Sequence, residues 1–205
     1  SAREMLGHVL TPAYHATPPA PFDPMEVAIR EVFLTSEDRP KDTRLVREYP
    51  FSRGAMMTTR VHASDERSTL IASAKGAPEV ILSVCDFSAE QREQVRRAVG
   101  SLAERGLRVI AVATAELHDG SLPEQQSGFH FTFSGLLGLE DPVRPEVPEA
   151  VQQCRSAGVR VIMMTGDHPT TARAIGRRIG LEQDAKVIEG PLLERMDDEA
   201  LRLAM

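Results

Sequence analysis

Thr165, Gly166 and Asp167 stand where an apolar run, residues 159–164, gives way to a helical pattern, residues 169–180. A hydroxyl, a bare backbone and a carboxylate thus meet at the junction of a predicted strand and a predicted helix. In open α/β sheets the carboxyl ends of strands are where ligands bind. A helix start adds free N–H groups and partial positive charge, which suit phosphate. The three residues form a candidate phosphate loop. The competing reading is a plain helix cap, with Thr165 or Asp167 accepting backbone N–H bonds and no ligand involved.

Two other groupings carry chemistry. In Lys75-Gly76-Ala77-Pro78-Glu79 a lysine at a strand end precedes a glycine. That order presents an ammonium at the rim of a pocket while backbone packs close behind, an arrangement that suits a nucleotide. A solvated lysine beside a turn is the alternative. In Tyr49-Pro50-Phe51-Ser52-Arg53 an aromatic ring and an arginine stand just before a strand. The ring can stack on a flat base and the guanidinium can take a phosphate, whereas a core Phe51 is the commoner fate of phenylalanine. Asp141-Pro142-Val143-Arg144 reads by itself as a turn that leads into a helix.

The elements that position these residues follow from pattern. Met5, Leu6, Val9 and Leu10 line one face of a short helix, and residues 11–24, with five prolines, read as loop. Residues 24–34 form a helix with Asp23 as N-cap and Pro24 at its first position; Val27, Ile29, Val32 and Phe33 make its apolar side. Residues 45–51, 56–62 and 69–74 are three short candidate strands, with a hairpin turn at 65–68. Residues 75–85 pass from strand to helix, with Pro78 in the first turn. Ser88-x-x-Gln91 is a capping box ahead of a helix lined by Val95, Ala98, Val99 and Leu102 and stopped by Gly106. Strands follow at 107–117 and 129–140, separated by a polar loop. Beyond Asp141 the pattern is helix (Val147, Val151, Cys154; stop at Gly158), apolar strand (159–164), helix, short strand (186–188) and polar helix. Such winding specifies a doubly wound parallel sheet covered on both faces. The expected fold is therefore mixed α/β: an antiparallel sheet flanked by helices over residues 1–140, then part of a doubly wound parallel sheet over 141–205.

Composition sets outer bounds. The 205 residues hold 41% apolar and 26% charged residues, ordinary for a globular protein. No run approaches the roughly 18 apolar residues of a membrane helix, and no signal-peptide pattern opens the chain. A net charge of −6 argues against a nucleic-acid partner, because phosphate backbones call for a basic face. Cys85 and Cys154 read as free thiols in a reducing compartment. The six histidines lack metal-ligand spacing.

Taken in order, residues 23–29 (DPMEVAI), 50–52 with 56–59 (PFS, MMTT), 75–79 (KGAPE), 106–114 (GLRVIAVAT), 141–144 (DPVR) and 165–181 (TGDHPTTARAIGRRIGL) resemble the cytoplasmic region of P-type cation-transporting ATPases. KGAPE with the long TGD motif is most similar to the calcium-pump-like branch. The resemblance implies a nucleotide-binding domain in residues 1–140 and part of a haloacid-dehalogenase-like phosphorylation domain in 141–205. It implies that Glu26 contacts the adenine end of ATP, Phe51 stacks on the base, Lys75 with Gly76 lines the pocket, and Arg108 reaches the phosphates or ribose. Thr165 and Gly166 would hold the transferred phosphoryl group and Asp167 would bind nucleotide or brace that loop. Asp141 and Arg144 would lie at the hinge.

Two departures matter. Residues 54–57 (Gly, Ala, Met, Met) replace a lysine the family often has after the PFS serine, which leaves Arg53 or Arg60 to compensate. The family's Asp-Lys-Thr-Gly-Thr nucleophile segment and its Gly-Asp-Gly-x-Asn-Asp magnesium stretch are not in these 205 residues. Phosphoryl transfer depends on an in-line nucleophile and metal-assisted charge neutralisation. The expectation is a cytoplasmic piece of an integral membrane pump that binds ATP without turnover, with its Mg²⁺ ligands and its membrane, actuator and remaining phosphorylation segments elsewhere in the polypeptide. A haloacid-dehalogenase-like phosphatase and a non-enzymatic regulatory module are the alternatives.

Overall fold

The computed structural model describes residues 2–36, 43–52, 54–64, 69–118, 120–181 and 186–204. By internal contacts the chain divides into two units: residues 1–99 with 109–139, and residues 100–108 with 140–205.

The first unit is built on a five-stranded sheet in the order β1-β2-β3-β4-β5, with β1 Thr43–Tyr49, β2 Met57–Ser64, β3 Leu70–Gly76, β4 Arg108–Leu117 and β5 Thr132–Leu139. Neighbouring strands follow one another in the chain, and β3 and β4 are joined through two helices, Pro78–Val84 and Ala89–Glu104. Strands β1 to β4 pair antiparallel, and the register sets Thr58 opposite Lys75 and Lys75 opposite Val112. The β2–β3 turn expected at 65–68 lies outside the described residues.

The edge strand β1 is largely exposed, whereas side chains of β2 to β4 go to two faces that are both covered. On one, Met57, Val61, Ala72, Ala74, Ala111, Ala113 and Ala115 pack against Phe129, Phe131 and helix α3 (Pro78–Val84) through Ile81. Alanines at five sheet positions leave room for the two phenylalanine rings. On the other face Val112 packs with Ala13 of α1 (Ala2–His15) and Ile29 of α2 (Pro24–Thr35). Fully buried Ile29 and Phe33 each contribute about 1.5–3 kcal/mol of apolar burial. Val32, expected on the same apolar side, is exposed.

Helix α1 corrects the sequence reading. Residues 11–15, expected as loop, continue the helix, and Pro12 lies inside it. Proline removes one backbone donor and crowds the preceding turn. Leu10 and Ala13 are buried in the core, so tertiary packing outweighs the local cost. Gly135 in β5 lets α1 approach: a Cβ there would come within 2.5 Å of Val9 Cγ2.

Local caps follow the sequence closely. Asp23 Oδ1 accepts the N–H of Met25 at 2.8 Å, capping α2 behind Pro24. Ser88 N–H donates to Gln91 Oε1 (2.9 Å) while Gln91 N–H donates to Ser88 Oγ (3.1 Å), a complete capping box that opens α4 (Ala89–Glu104). Gly106 follows α4 with φ +80°, the left-handed conformation glycine adopts freely.

The second unit holds α5 (Val147–Ser156), α6 (Pro169–Arg178), α7 (Gly190–Leu193) and α8 (Asp198–Ala204). The strands expected at 159–164 and 186–188 are not formed, and among the described residues of this unit no parallel sheet is present. A strand exists only when its N–H and C=O groups meet a neighbour's, and here no described segment supplies one. Val159, Ile162 and Met164 are accordingly 54%, 57% and 90% exposed.

Candidate functional site

Lys75 lies at the end of β3, next to the strand's last residue. Its side chain is only 7% exposed. The ammonium donates to Glu26 Oε1 at 2.7 Å and to Thr17 Oγ1 at 2.8 Å. Glu26 is carried by the first turn of α2, and Thr17 follows the end of α1. Burial pushes the Lys75 pKa down from its ordinary value; the hydrogen bond and charge of Glu26, then the charge of Asp23, pull it back, and Arg60 lowers it further. A buried ammonium persists only with such partners. The solvated-lysine alternative is thereby corrected.

Arg60 stands one register step away on the same face of β2 and is also buried. Its Nη1 donates to the Thr17 carbonyl at 2.6 Å. Its Nε lies 3.0 Å from Glu48 Oε2, yet off the direction a hydrogen bond requires, so that contact is one of charge. Arg60 thus points inward to the protein's own acceptors.

Gly76 has a steric role. A Cβ at this position would fall 2.6 Å from both the Met56 carbonyl oxygen and Met57 Cβ. Met56 itself has φ +48° and its carbonyl accepts the Ala77 N–H at 3.1 Å. The Met56 N–H donates in turn to Ser52 O at 2.7 Å, and Ser52 Oγ accepts the Ala55 N–H at 3.1 Å. These bonds tie the loop carrying Phe51 to the end of β3 that carries Lys75. The Phe51 ring is 62% exposed, which excludes a core role for it. Arg53 lies outside the described residues.

The second unit assembles a different group. Thr165 Oγ1 donates to Asp167 Oδ2 at 2.8 Å and accepts the Asp167 N–H at 3.1 Å. Arg108 Nε lies 2.9 Å from Asp167 Oδ1. Spacing alone did not join Arg108 to Asp167. Thr165 thus accepts a backbone N–H, as the helix-cap alternative has it, but the cap of α6 itself is His168, whose Nδ1 accepts the Thr170 N–H. Thr171 Oγ1 donates to the Leu107 carbonyl at 3.2 Å, which fixes α6 beside the residue preceding Arg108. Asp141 and Arg144 are exposed, and the Arg144 carbonyl accepts the Val147 N–H at 3.0 Å in the turn before α5.

Sequence pattern gave no sign of Thr17, which is 1% exposed in a stretch read as loop. Nor did it join His15 to His62, whose ring centroids are 5.1 Å apart. Burial lowers the His62 pKa to about 4, and nearby His15 and Arg60 push the same way. Among the described residues no cluster of three or more His, Cys, Asp or Glu has the arrangement of a metal site.

Comparison with known proteins places these residues in context. The family model for the P-type ATPase cytoplasmic domain N matches residues 23–146. The calcium-transporting ATPase of Bacillus subtilis (strain 168) is 33% identical over 195 residues, covering 87% of this chain and 22% of that protein. The calcium-transporting ATPase 1 of Yarrowia lipolytica is 34% identical over 194 residues, with 86% and 21% covered. The sodium/potassium-transporting ATPase subunit alpha-A of Artemia franciscana is 35% identical over 177 residues, with 77% and 17% covered. This chain spans about a fifth of the length of the curated relatives it matches. The matched segment begins at the cap of the helix bearing Glu26 and runs through Phe51, Lys75 and Arg108, more than half of the sequence: the chain belongs to the P-type ATPase cytoplasmic domain N family.

Proposed function

We propose that this chain is an ATP-binding cytoplasmic part of a cation-transporting P-type ATPase. The observation that carries the reading is a buried Lys75–Glu26 pair at the same sheet end to which the loop of the exposed Phe51 ring is tied. An exposed aromatic face suits stacking on a purine, and a lysine held charged by a carboxylate supplies a fixed positive group beside it. Glu26, with 22% of its side chain accessible, reads the amino edge of adenine.

Residues 1–140 act as the nucleotide-binding domain and 141–205 as part of the phosphorylation domain. In the latter, Thr165 and Gly166 hold the phosphoryl group, Asp167 braces them, and Arg108 adds a guanidinium for phosphate or ribose. The Thr165–Asp167 and Arg108–Asp167 contacts support that arrangement. Asp141 and Arg144 serve the hinge. ATP is the substrate. Mg²⁺ supplies charge neutralisation when bound, and its ligands are assigned outside these residues. The intact protein is a membrane ATP hydrolase with an aspartyl-phosphate, and this part by itself binds ATP without turnover. Among the described residues no helix is long and apolar enough to cross a membrane. Calcium is the proposed cargo, supported by the names of the relatives from Bacillus subtilis and Yarrowia lipolytica and by the KGAPE segment.

The test is an ATP titration followed at the backbone amides near Phe51 and Lys75. Both sets of signals shift under this reading, and Phe51→Ala weakens binding about tenfold, the worth of one aromatic stack, with the fold unchanged. Amides that stay still at millimolar ATP would overturn the assignment.

A further inference from the structure

We infer that Thr17 is the positioning residue of the nucleotide site: its hydroxyl, together with Glu26, fixes the rotation of the Lys75 ammonium so that a single N–H is left for a ligand. The inference deepens the ATP-binding reading above and rests on it.

The polarity of the Thr17 hydroxyl is set by the last turn of α1, which it follows. Its proton is donated to the Ala13 carbonyl at 2.8 Å, so toward Lys75 the oxygen can only accept. An ammonium has three donors and no acceptor. One points to Thr17 Oγ1 and one to Glu26 Oε1, at 2.8 and 2.7 Å. Two fixed bonds remove the free spin of the group and define the direction of the third N–H. Lys75 therefore need not release Glu26 to meet a nucleotide oxygen.

The same residue aligns a second cation. Arg60 donates to the Thr17 carbonyl at 2.6 Å, which holds that peptide in place from the other side. Each cation keeps its own carboxylate, Glu26 for Lys75 and Glu48 for Arg60. Asp23 adds a further negative charge near Lys75. Among the described residues Thr17 is thus the one bonded to both buried cations, and it reaches them because α1 continues past Pro12: the Ala16 N–H donates to the Pro12 carbonyl at 2.9 Å.

A lost acceptor on a charged group is a costly deletion, which sets the size of the expected effect. The experiment compares the wild-type chain with Thr17→Val, which keeps the shape and removes the acceptor, and with Thr17→Ser, which keeps the acceptor. The first readout needs no nucleotide: the Lys75 side-chain signal, followed by NMR against pH in ¹⁵N-lysine-labelled protein. The second is ATP affinity by calorimetry. Thr17→Val moves the Lys75 titration to lower pH and weakens ATP binding about tenfold, whereas Thr17→Ser keeps both near wild type. Should Thr17→Val fail to fold, Thr17→Ala, the smaller deletion, takes its place with the same expected result. A folded Val or Ala variant with unchanged titration and unchanged affinity overturns the inference, as does a folded Ser variant that behaves like Val. If the wild type binds no ATP while Thr17→Val still shifts the Lys75 titration, the nucleotide reading fails and the control of the ammonium by Thr17 stands.

Discussion

Two ion pairs, one in each unit, answer to different physics. Lys75–Glu26 sits under two helices with the lysine side chain 7% exposed, whereas Arg108 is 43% exposed against Asp167. In the first unit both faces of the sheet are covered at β2 and β3, so a charge taken inside there depends on its partners. In the second, Val159, Ile162 and Met164 face solvent; the carboxylates are similarly covered, Glu26 at 22% and Asp167 at 18% exposed, so the difference lies in the cation, and the arginine keeps solvent on one side. Similar distances, 2.7 and 2.9 Å, therefore imply unequal energies. The buried pair is part of the fold's integrity; the exposed pair aims a guanidinium and brings little stability.

The comparison breaks most visibly at Glu26. Glu26→Ala leaves the Lys75 ammonium with Thr17 as its only bonded partner among the described residues, and the cost of an uncompensated buried charge is about 3 kcal/mol. A lowered denaturant midpoint with an unchanged slope would record it, and a loss below 1 kcal/mol would show that the pair is not truly desolvated.

His62 gives a smaller, pH-dependent effect on the same unit. Its folded pKa of about 4 lies below the ordinary 6.5, so between these values the unfolded chain holds the extra proton. Stability falls as pH drops from 6.5 toward 4 and is flat in this term above 6.5. The partial exposure of His62 discounts the effect to about 1–2 kcal/mol. His62→Gln removes that component, seen as a shallower loss of stability than wild type between pH 7 and pH 4.5. His15 and Arg60, which face the same imidazole, are unchanged in that variant.

The smallest effect belongs to the exposed pair. Asp167→Asn changes stability by less than about 1 kcal/mol, because Arg108, 43% exposed, is not left buried without a partner, measured by thermal unfolding. A loss as large as that of Glu26→Ala would erase the distinction between the two units.

What the sequence revealed was largely what short-range physics decides. Asp23 with Pro24, the Ser88–Gln91 box and Gly106 are caps whose partners lie within a few residues, and they stand where pattern put them. Strands β1 to β5 stand close to where short runs rich in apolar and β-branched residues put them. The misses all depend on distant partners. Pro12 reads as a helix breaker until the burial of Leu10 and Ala13 is known. Residues 159–164 read as a strand by composition, but pairing is a property of two segments. His168, which no pattern singled out, caps α6 in place of the alternative offered for Thr165 or Asp167. Thr17 carries no motif, because its role exists only where a helix end meets the second strand neighbour of Lys75. Of the candidate site, the residue types at Glu26, Phe51 and Lys75 were legible, while the contacts among Lys75, Glu26 and Thr17 were not.

Gly135 gives these contacts an unexpected guardian. Val9 occupies the space that any side chain at 135 would claim, so the first helix rests on the far strand through an absence of atoms. The tail of that helix delivers Thr17. Bulk added on β5 would lever the helix outward and carry a hydroxyl away from an ammonium on β3, which makes the aim of Lys75 hostage to a position that never touches it.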